Sequence, residues 1–201
     1  MKKLLFIFTC LLISKTYSQT DFIITVNNQS QEISLEKDYE FKVDGKTIQI
    51  SVKEKDTLIY SDPFYTFKYS KKHKVSKTEI DLGIEQIMLM TAGGSGIIVQ
   101  KYDSFNPTMM QEMMLNEVTK ESVSYGYSLE RKDYEITLKS GEKIEILKAE
   151  LEYKGEIEVY EISAVGKKDE GVLLMTMNLG GDGDNEGEEM INLLWSTLHI
   201  E

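Results

Sequence analysis

At 201 residues the chain is long enough to bury a core without disulfide staples. With 23 Lys and Arg against 34 Asp and Glu it carries a formal charge of −11, which argues against a broad surface for nucleic acid or anionic lipid. One cysteine and two histidines leave little for thiolate or imidazole chemistry.

The first twenty residues differ from the rest. Lys2 and Lys3 precede an apolar run from Leu4 to Ile13, and Ser14 to Ser18 are mostly small or polar. This order predicts a secretory signal peptide over residues 1–18, cleaved to leave Gln19 at the new terminus, with an apolar run too short to span a bilayer. Cys10 raises lipid attachment at a bacterial lipobox, but Phe8 and Thr9 suit it poorly and the cut would fall too early. Ordinary cleavage removes Cys10, and with it all thiol, disulfide and thiolate-metal chemistry. It also removes three lysines and no acids, which leaves the exported chain more acidic still.

After the leader, residues 22–26 and 31–35 read as short strands. Residues 39–43 and 47–52 follow around Asp44-Gly45, a two-residue hairpin signal because both central positions need positive φ. Residues 58–60 and 64–69 flank an Asp62-Pro63 turn. Five lysines and His73 lie between Lys68 and Lys77. They could form an anion or headgroup site, but a solvated turn between strands is the plainer reading.

Ile84 to Met90, the Gly93-Gly94-Ser95-Gly96 turn and Ile97 to Tyr102 form the centre of the prediction. Apolar residues on successive positions imply a central place in the sheet with both faces covered. Asn106 and Pro107 then open a helix over 108–121. At 100° per residue Met109, Met110, Met113, Met114 and Val118 share one half of it. Glu117 falls inside that arc, as a buried polar group with Lys120 for a partner.

The second half reads as a strand meander: 134–138, 143–153, 157–165 and 172–179. Within 143–153 the apolar set changes face after Ile146, which predicts a β-bulge there. An acidic loop, 180–189, leads into a last helix over 186–198. Asn185 and Glu188 resemble a capping box, and Met190, Ile191, Leu194, Trp195 and Leu198 form its apolar face. The elements predict an α+β fold, an antiparallel meander sandwiched with two main helices, plus an N-terminal β-hairpin extension.

Few constellations carry chemistry. The methionine-rich helix could hold a soft metal such as Cu(I), but methionine recurs on the strands and core packing explains it better. Asp182, Asp184 and Glu186, with Gly187 as the turn residue, imitate the start of an EF-hand loop, and calcium is the cofactor they would take. The twelfth position is Leu193 where a bidentate glutamate belongs, and no helix precedes the loop. Gly93-Gly94-Ser95-Gly96 joins two strands and cradles no phosphate. Asn28-Gln29-Ser30 is a formal glycosylation sequon. No His pair has metal spacing, and neither His73 nor His199 sits where a carboxylate would orient a base. No catalytic residue is assigned.

The order of elements resembles a known family. Aromatic Phe64-Tyr65-Thr66-Phe67-Lys68-Tyr69 and a basic stretch come first, then a central hairpin and a helix. A meander ending at Asp169-Glu170-Gly171-Val172-Leu173-Leu174 and a helix bearing Trp195 complete it. This resembles the PsbP-like fold, named for an extrinsic protein of photosystem II. The resemblance covers residues 45–201 and leaves 19–44 as an N-terminal strand extension. It implies a non-enzymatic binding or assembly role and transfers no site residue. The expectation is therefore an exported module of the bacterial cell envelope, periplasmic or secreted. Its partner would be an unidentified envelope protein, with no nucleic acid and no membrane span. The alternatives are a carboxylate-based hydrolase and a protein binding calcium or a soft metal.

Overall fold

The computed structural model describes residues 22–180 and 183–201. The predicted leader, Cys10 and Asp182 lie outside the described residues. The chain divides into two compact units, one ending at Glu54 and the other spanning Lys55–Glu201.

The first unit holds two hairpins, β1 (Phe22–Val26) with β2 (Gln29–Ile33) and β3 (Asp38–Val43) with β4 (Lys46–Ser51). Asn27 and Asn28 turn the first at φ 45° and 63°, because asparagine tolerates the left-handed region. Asp44 and Gly45 turn the second at φ 50° and 75°, the geometry expected of an Asp-Gly hairpin. The expected boundary between residues 44 and 45 cuts this turn. Pairing from Asp38↔Ser51 to Val43↔Lys46 holds β4 to β3, so the division falls after Glu54 instead.

In the second unit the elements are β5 (Thr57–Ser61), β6 (Tyr65–Ser70), β7 (Ser76–Asp81), β8 (Ile84–Met90) and β9 (Gly96–Tyr102). A 3-10 turn (Pro107–Met110) leads into α1 (Gln111–Tyr125). Then come β10 (Ser128–Arg131), β11 (Tyr134–Thr137), β12 (Lys143–Tyr153), β13 (Glu156–Gly166), β14 (Gly171–Asn178), α2 (Asn185–Thr197) and β15 (His199–Ile200). The main sheet is antiparallel with order β10-β12-β13-β14-β9-β8-β7, and β11 pairs beside β10 along β12. A small sheet, β15-β6-β5, stands apart from it.

Strand β9 is central, as its apolar run requires, between β8 and β14. Gly96 permits the tight β8–β9 return, since a Cβ there would sit 2.6 Å from the Leu89 carbonyl oxygen. Alternation along the strands gives two apolar clusters on opposite faces. One gathers Ile87, Leu89, Ile97, Val99, Val172 and Leu174 with Phe64, Tyr65 and Phe67 of the small sheet and Met190, Leu194 and Leu198 of the C-terminal helix region. The other gathers Leu147, Ala149, Leu151, Ile162, Leu173 and Met175 beneath Leu115 of α1.

Four sequence expectations change. The register of β12 runs unbroken from Leu147↔Ile162 to Tyr153↔Glu156, and β11 pairs regularly over Lys143 to Ile146. Ile144 and Ile146 face one cluster while Leu147, Ala149 and Leu151 face the other, so alternation explains the change of face and no bulge is needed. Helix α1 seats Leu115 and Thr119, while Met109 and Met113 stay 80% and 57% exposed. The 3-10 turn winds Met109 out of the α-helical phase, and Thr119 can be buried because its hydroxyl donates to the Leu115 carbonyl at 2.8 Å. Glu117 is exposed and pairs with Lys120 at 3.5 Å in solvent, not in the core. Finally, Asp184 and not Asn185 caps α2, its Oδ1 accepting from the Gly187 N–H at 3.0 Å. Among the described residues no helix is long and apolar enough to cross a membrane.

Candidate functional site

Strand β13 places Glu161 on the face that α2 crosses. Its neighbours Val159, Tyr160, Ile162, Ser163 and Ala164 make it the one acid in that run, and it is only 6% exposed. A buried carboxylate is tolerable only when hydrogen bonds and charge replace water. Four elements supply them. Tyr134 on β11 donates to Oε1 at 2.8 Å. Thr176 on β14 and the Trp195 indole N–H on α2 both donate to Oε2, at 3.1 and 2.8 Å. Lys148 of β12 adds its ammonium 3.7 Å from Oε1. Burial, then the neighbouring Glu161 charge, raises the Tyr134 pKa, so the phenol stays a neutral donor.

Above this carboxylate lies a pocket of about 280 Å³, with Glu161, Thr176 and Asn178 in its floor and Trp195, Asn192 and Glu188 along α2. Lys148 and Glu150 close one side, and Lys132 holds Glu150 at 2.9 Å. Past Tyr134 and Trp195 the concavity continues as an open groove to Ile136, Leu193 and Ser196. The pocket takes polar groups from β12 (Lys148, Glu150) and β13 (Glu161), with Ile157, Val159 and Ile191 as its apolar lining. Chemically it offers amide and carboxylate hydrogen-bonding groups on rigid strands and an indole for stacking.

Neither described member of the predicted calcium set joins this pocket, and the two do not face one another. Asp184 turns inward toward the α2 cap, and the neighbouring Ser95 hydroxyl, then the hydrogen bond from the Gly187 N–H, hold its carboxyl below the usual range. Glu186 instead approaches His73 Nε2 at 3.9 Å. Among the described residues no group of three or more His, Cys, Asp or Glu is placed to hold a metal. The lysine stretch spans the end of β6, a turn and the start of β7. There Lys71, Lys72 and His73 share a cleft with Glu186 and Glu189 of the same chain, so acids of α2 offset the basic charge. The methionines divide between core and solvent, and Met110 and Met114 pack on the second cluster.

Comparison of the sequence with known protein families, and with curated proteins, finds no match. Among solved structures, the chain is similar to the solution structure of cyanobacterial PsbP (CyanoP) from Synechocystis sp. PCC 6803. That likeness has 11% identity and a TM-score of 0.48, and covers 73% of this chain and 93% of that one. A crystal structure from Bacteroides thetaiotaomicron is similar at 13% identity and TM-score 0.35, over 73% of this chain and 48% of that chain. A protein of unknown function from Pseudomonas aeruginosa follows at 8% identity and TM-score 0.29, over 76% and 89%. The PsbP-like resemblance rests on the order of elements. It brings no site residue with it.

Glu161 and its partners escaped the sequence reading. The signal was present, because a lone acid amid strand residues covered on both faces needs a partner. What the sequence withheld was the partner's identity.

Proposed function

We propose that the protein is an exported, non-catalytic binding module that takes a small polar ligand in the groove over Glu161. The observation carrying this reading is the pocket of about 280 Å³ whose floor is a buried, fully hydrogen-bonded carboxylate and whose wall is Trp195. Such a floor is preorganised, since its donors are already aimed and cost nothing to order on binding. Asn192 and Lys148 remain at its margin for a polar ligand, and the indole offers an apolar surface for stacking.

The hydrolase alternative requires a carboxyl able to exchange a proton with substrate. Glu161 is engaged by Tyr134, Thr176 and Trp195, and Glu150 by Lys132, which favours binding over proton transfer. The leader sequence supports export, and a periplasmic or secreted site would bring the module to an envelope partner. Processing is checked by mass spectrometry of the native protein, with Gln19 expected at its terminus.

Trp195 is the only tryptophan in the chain, so its emission reports this groove alone. Titrating mono- and disaccharides, amino acids and dipeptides into the protein should give a saturable change in Trp195 emission with one class. Silence across the panel, with no change in amide resonances around Asn192 and Lys148, would overturn the groove reading. A cross-linked pull-down from the cell envelope would then locate the working surface.

A further inference from the structure

On the opposite face of the sheet, a second concavity of about 350 Å³ sits at the C-terminal end of α1. Gly126, at φ 119°, ends the helix and turns the chain so that Tyr125 and Tyr127 both meet Tyr153 of β12. The three rings form a triangle, with centroids 5.3, 5.3 and 6.2 Å apart, and Tyr125 is 71% exposed. Glu121 and Ser122 of α1 line the concavity with Glu158 and Tyr160 of β13.

The groups bordering this spot share one electrostatic character. Glu121 and Glu158 line it, and Glu156 stands next to Tyr127, whose hydroxyl donates to Glu156 Oε2 at 3.0 Å. Ser122 and Tyr160 donate to Glu158 Oε2 at 2.6 and 3.2 Å. Among the described residues no hydrogen bond engages the Oε1 atom of either Glu156 or Glu158, so each carboxylate keeps an acceptor to offer. The last turn of α1 contains no basic residue, which leaves the negative end of the helix dipole uncompensated there. The hydrogen bond to Glu156 pushes the Tyr127 hydroxyl up to about 12, and burial does the same for Tyr160. Both phenols therefore remain donors. Among the described residues the cation at the triangle is the chain's own Lys154, its Nζ 4.7 Å from the Tyr153 ring centroid.

We propose that this concavity binds an organic cation of the alkylammonium class, held by the tyrosine faces and the carboxylates of Glu158 and Glu121. Aromatic faces attract a cation through their quadrupole, most strongly where water is partly displaced, and carboxylates fix it. Lys154 over Tyr153 shows that contact within the fold. The ammonium could belong to a free small molecule or to a lysine side chain of a polypeptide, and the two differ in what accompanies the charge.

The test is an NMR titration of the protein with choline, with its uncharged isostere 3,3-dimethylbutan-1-ol, and with tri-lysine. Choline or tri-lysine should produce saturable shifts in the amides of residues 121–127 and 153–160, and the isostere should not. Saturation by tri-lysine alone keeps the alkylammonium class and assigns it to a polypeptide. Tyr125→Ala should weaken binding about tenfold and Tyr125→Phe by no more than about twofold, because the ring face and not the hydroxyl makes the contact. Tyr125 is mostly exposed, so neither change threatens the fold. Glu158→Gln should also weaken binding while Trp195 emission stays unchanged. Equal binding of the uncharged isostere, no saturable shift with any probe, or full affinity in Tyr125→Ala would each overturn the proposal.

Discussion

Glu158 and Glu161 stand three residues apart on β13 and project to opposite faces of one sheet. Glu161 is enclosed, and three elements besides its own strand spend donors on it. Glu158 is half-buried and takes donors on one oxygen only, from Ser122 and Tyr160. The same side chain therefore does two jobs. Enclosed and saturated, a carboxylate pins Tyr134, Thr176 and Trp195 in one arrangement and shapes the groove above it. Half-open and partly free, it keeps capacity for something from outside. What differs is the covering element: α2 reaches Glu161 with an indole, whereas α1 reaches Glu158 with only the small Ser122 hydroxyl.

The largest expected effect breaks the enclosed side. Glu161→Ala strands the Tyr134, Thr176 and Trp195 donors and the Lys148 charge, and should cost about 3–5 kcal/mol in urea unfolding. Glu161→Gln keeps the shape but mismatches the indole donor, at about 1–3 kcal/mol. If Glu161→Ala proves nearly neutral, the carboxylate is not the pin described. On the same side, Trp195→Phe removes one donor and keeps most of the ring, so circular-dichroism melts should register a loss of about 1–2 kcal/mol. Its ligand response, read by calorimetry, should fall more than its stability.

The cap of α2 gives a smaller effect and a pH signature. Asp184→Ala should cost about 1 kcal/mol through loss of the Gly187 hydrogen bond. Because folding lowers the Asp184 pKa, its contribution is present above the ordinary carboxylate value and is lost as pH falls through the folded one. Below about pH 4 the wild type should therefore lose stability more steeply than Asp184→Asn. An identical acid limb in both would remove Asp184 from the account.

The smallest effect belongs to the surface. Arg131 pairs with Glu112 at 2.7 Å and Asp133 at 2.8 Å, but all three are reached by solvent. Arg131→Lys should change stability by no more than about 0.5 kcal/mol despite losing the forked geometry. Melting with and without calcium tests the Asp182, Asp184 and Glu186 reading. Since Asp184 serves as a cap and Glu186 faces His73, we expect no rise in Tm, and a rise would favour a metal-linked protein.

Much of the fold was legible before any coordinates. Strands β8 and β12 have the expected bounds, and the Asp44-Gly45 turn and the start of α2 fall within a residue of expectation. Three strands were not. All six residues of β7 are exposed, and it lies at an edge bonded only to β8, so no burial imposes alternation on its sequence. Strand β10 is nearly as exposed, and β15 has two residues that exist as a strand only because β6 pairs with them. The candidate site was half-legible. Glu161 is conspicuous as an acid among covered strand residues, but Tyr134, Thr176 and Trp195 lie 27, 15 and 34 residues away along the chain. The acids that did attract notice, around Asp184, form a local pattern that the fold uses as a helix cap.

Sequence by itself determined the local matters: which of the covered runs are strands or helices, where Asp-Gly turns, and that the chain is acidic overall. Those follow from periodicity, φ preference and charge, which act between near neighbours. Only the tertiary structure decided that β9 pairs with β14, that Glu161 lies beneath Trp195, and that Tyr125, Tyr127 and Tyr153 meet beside Glu158. These depend on which face each element buries and on how far a helix extends across a sheet. Both are settled by long-range packing and by the need to satisfy every buried polar group at once.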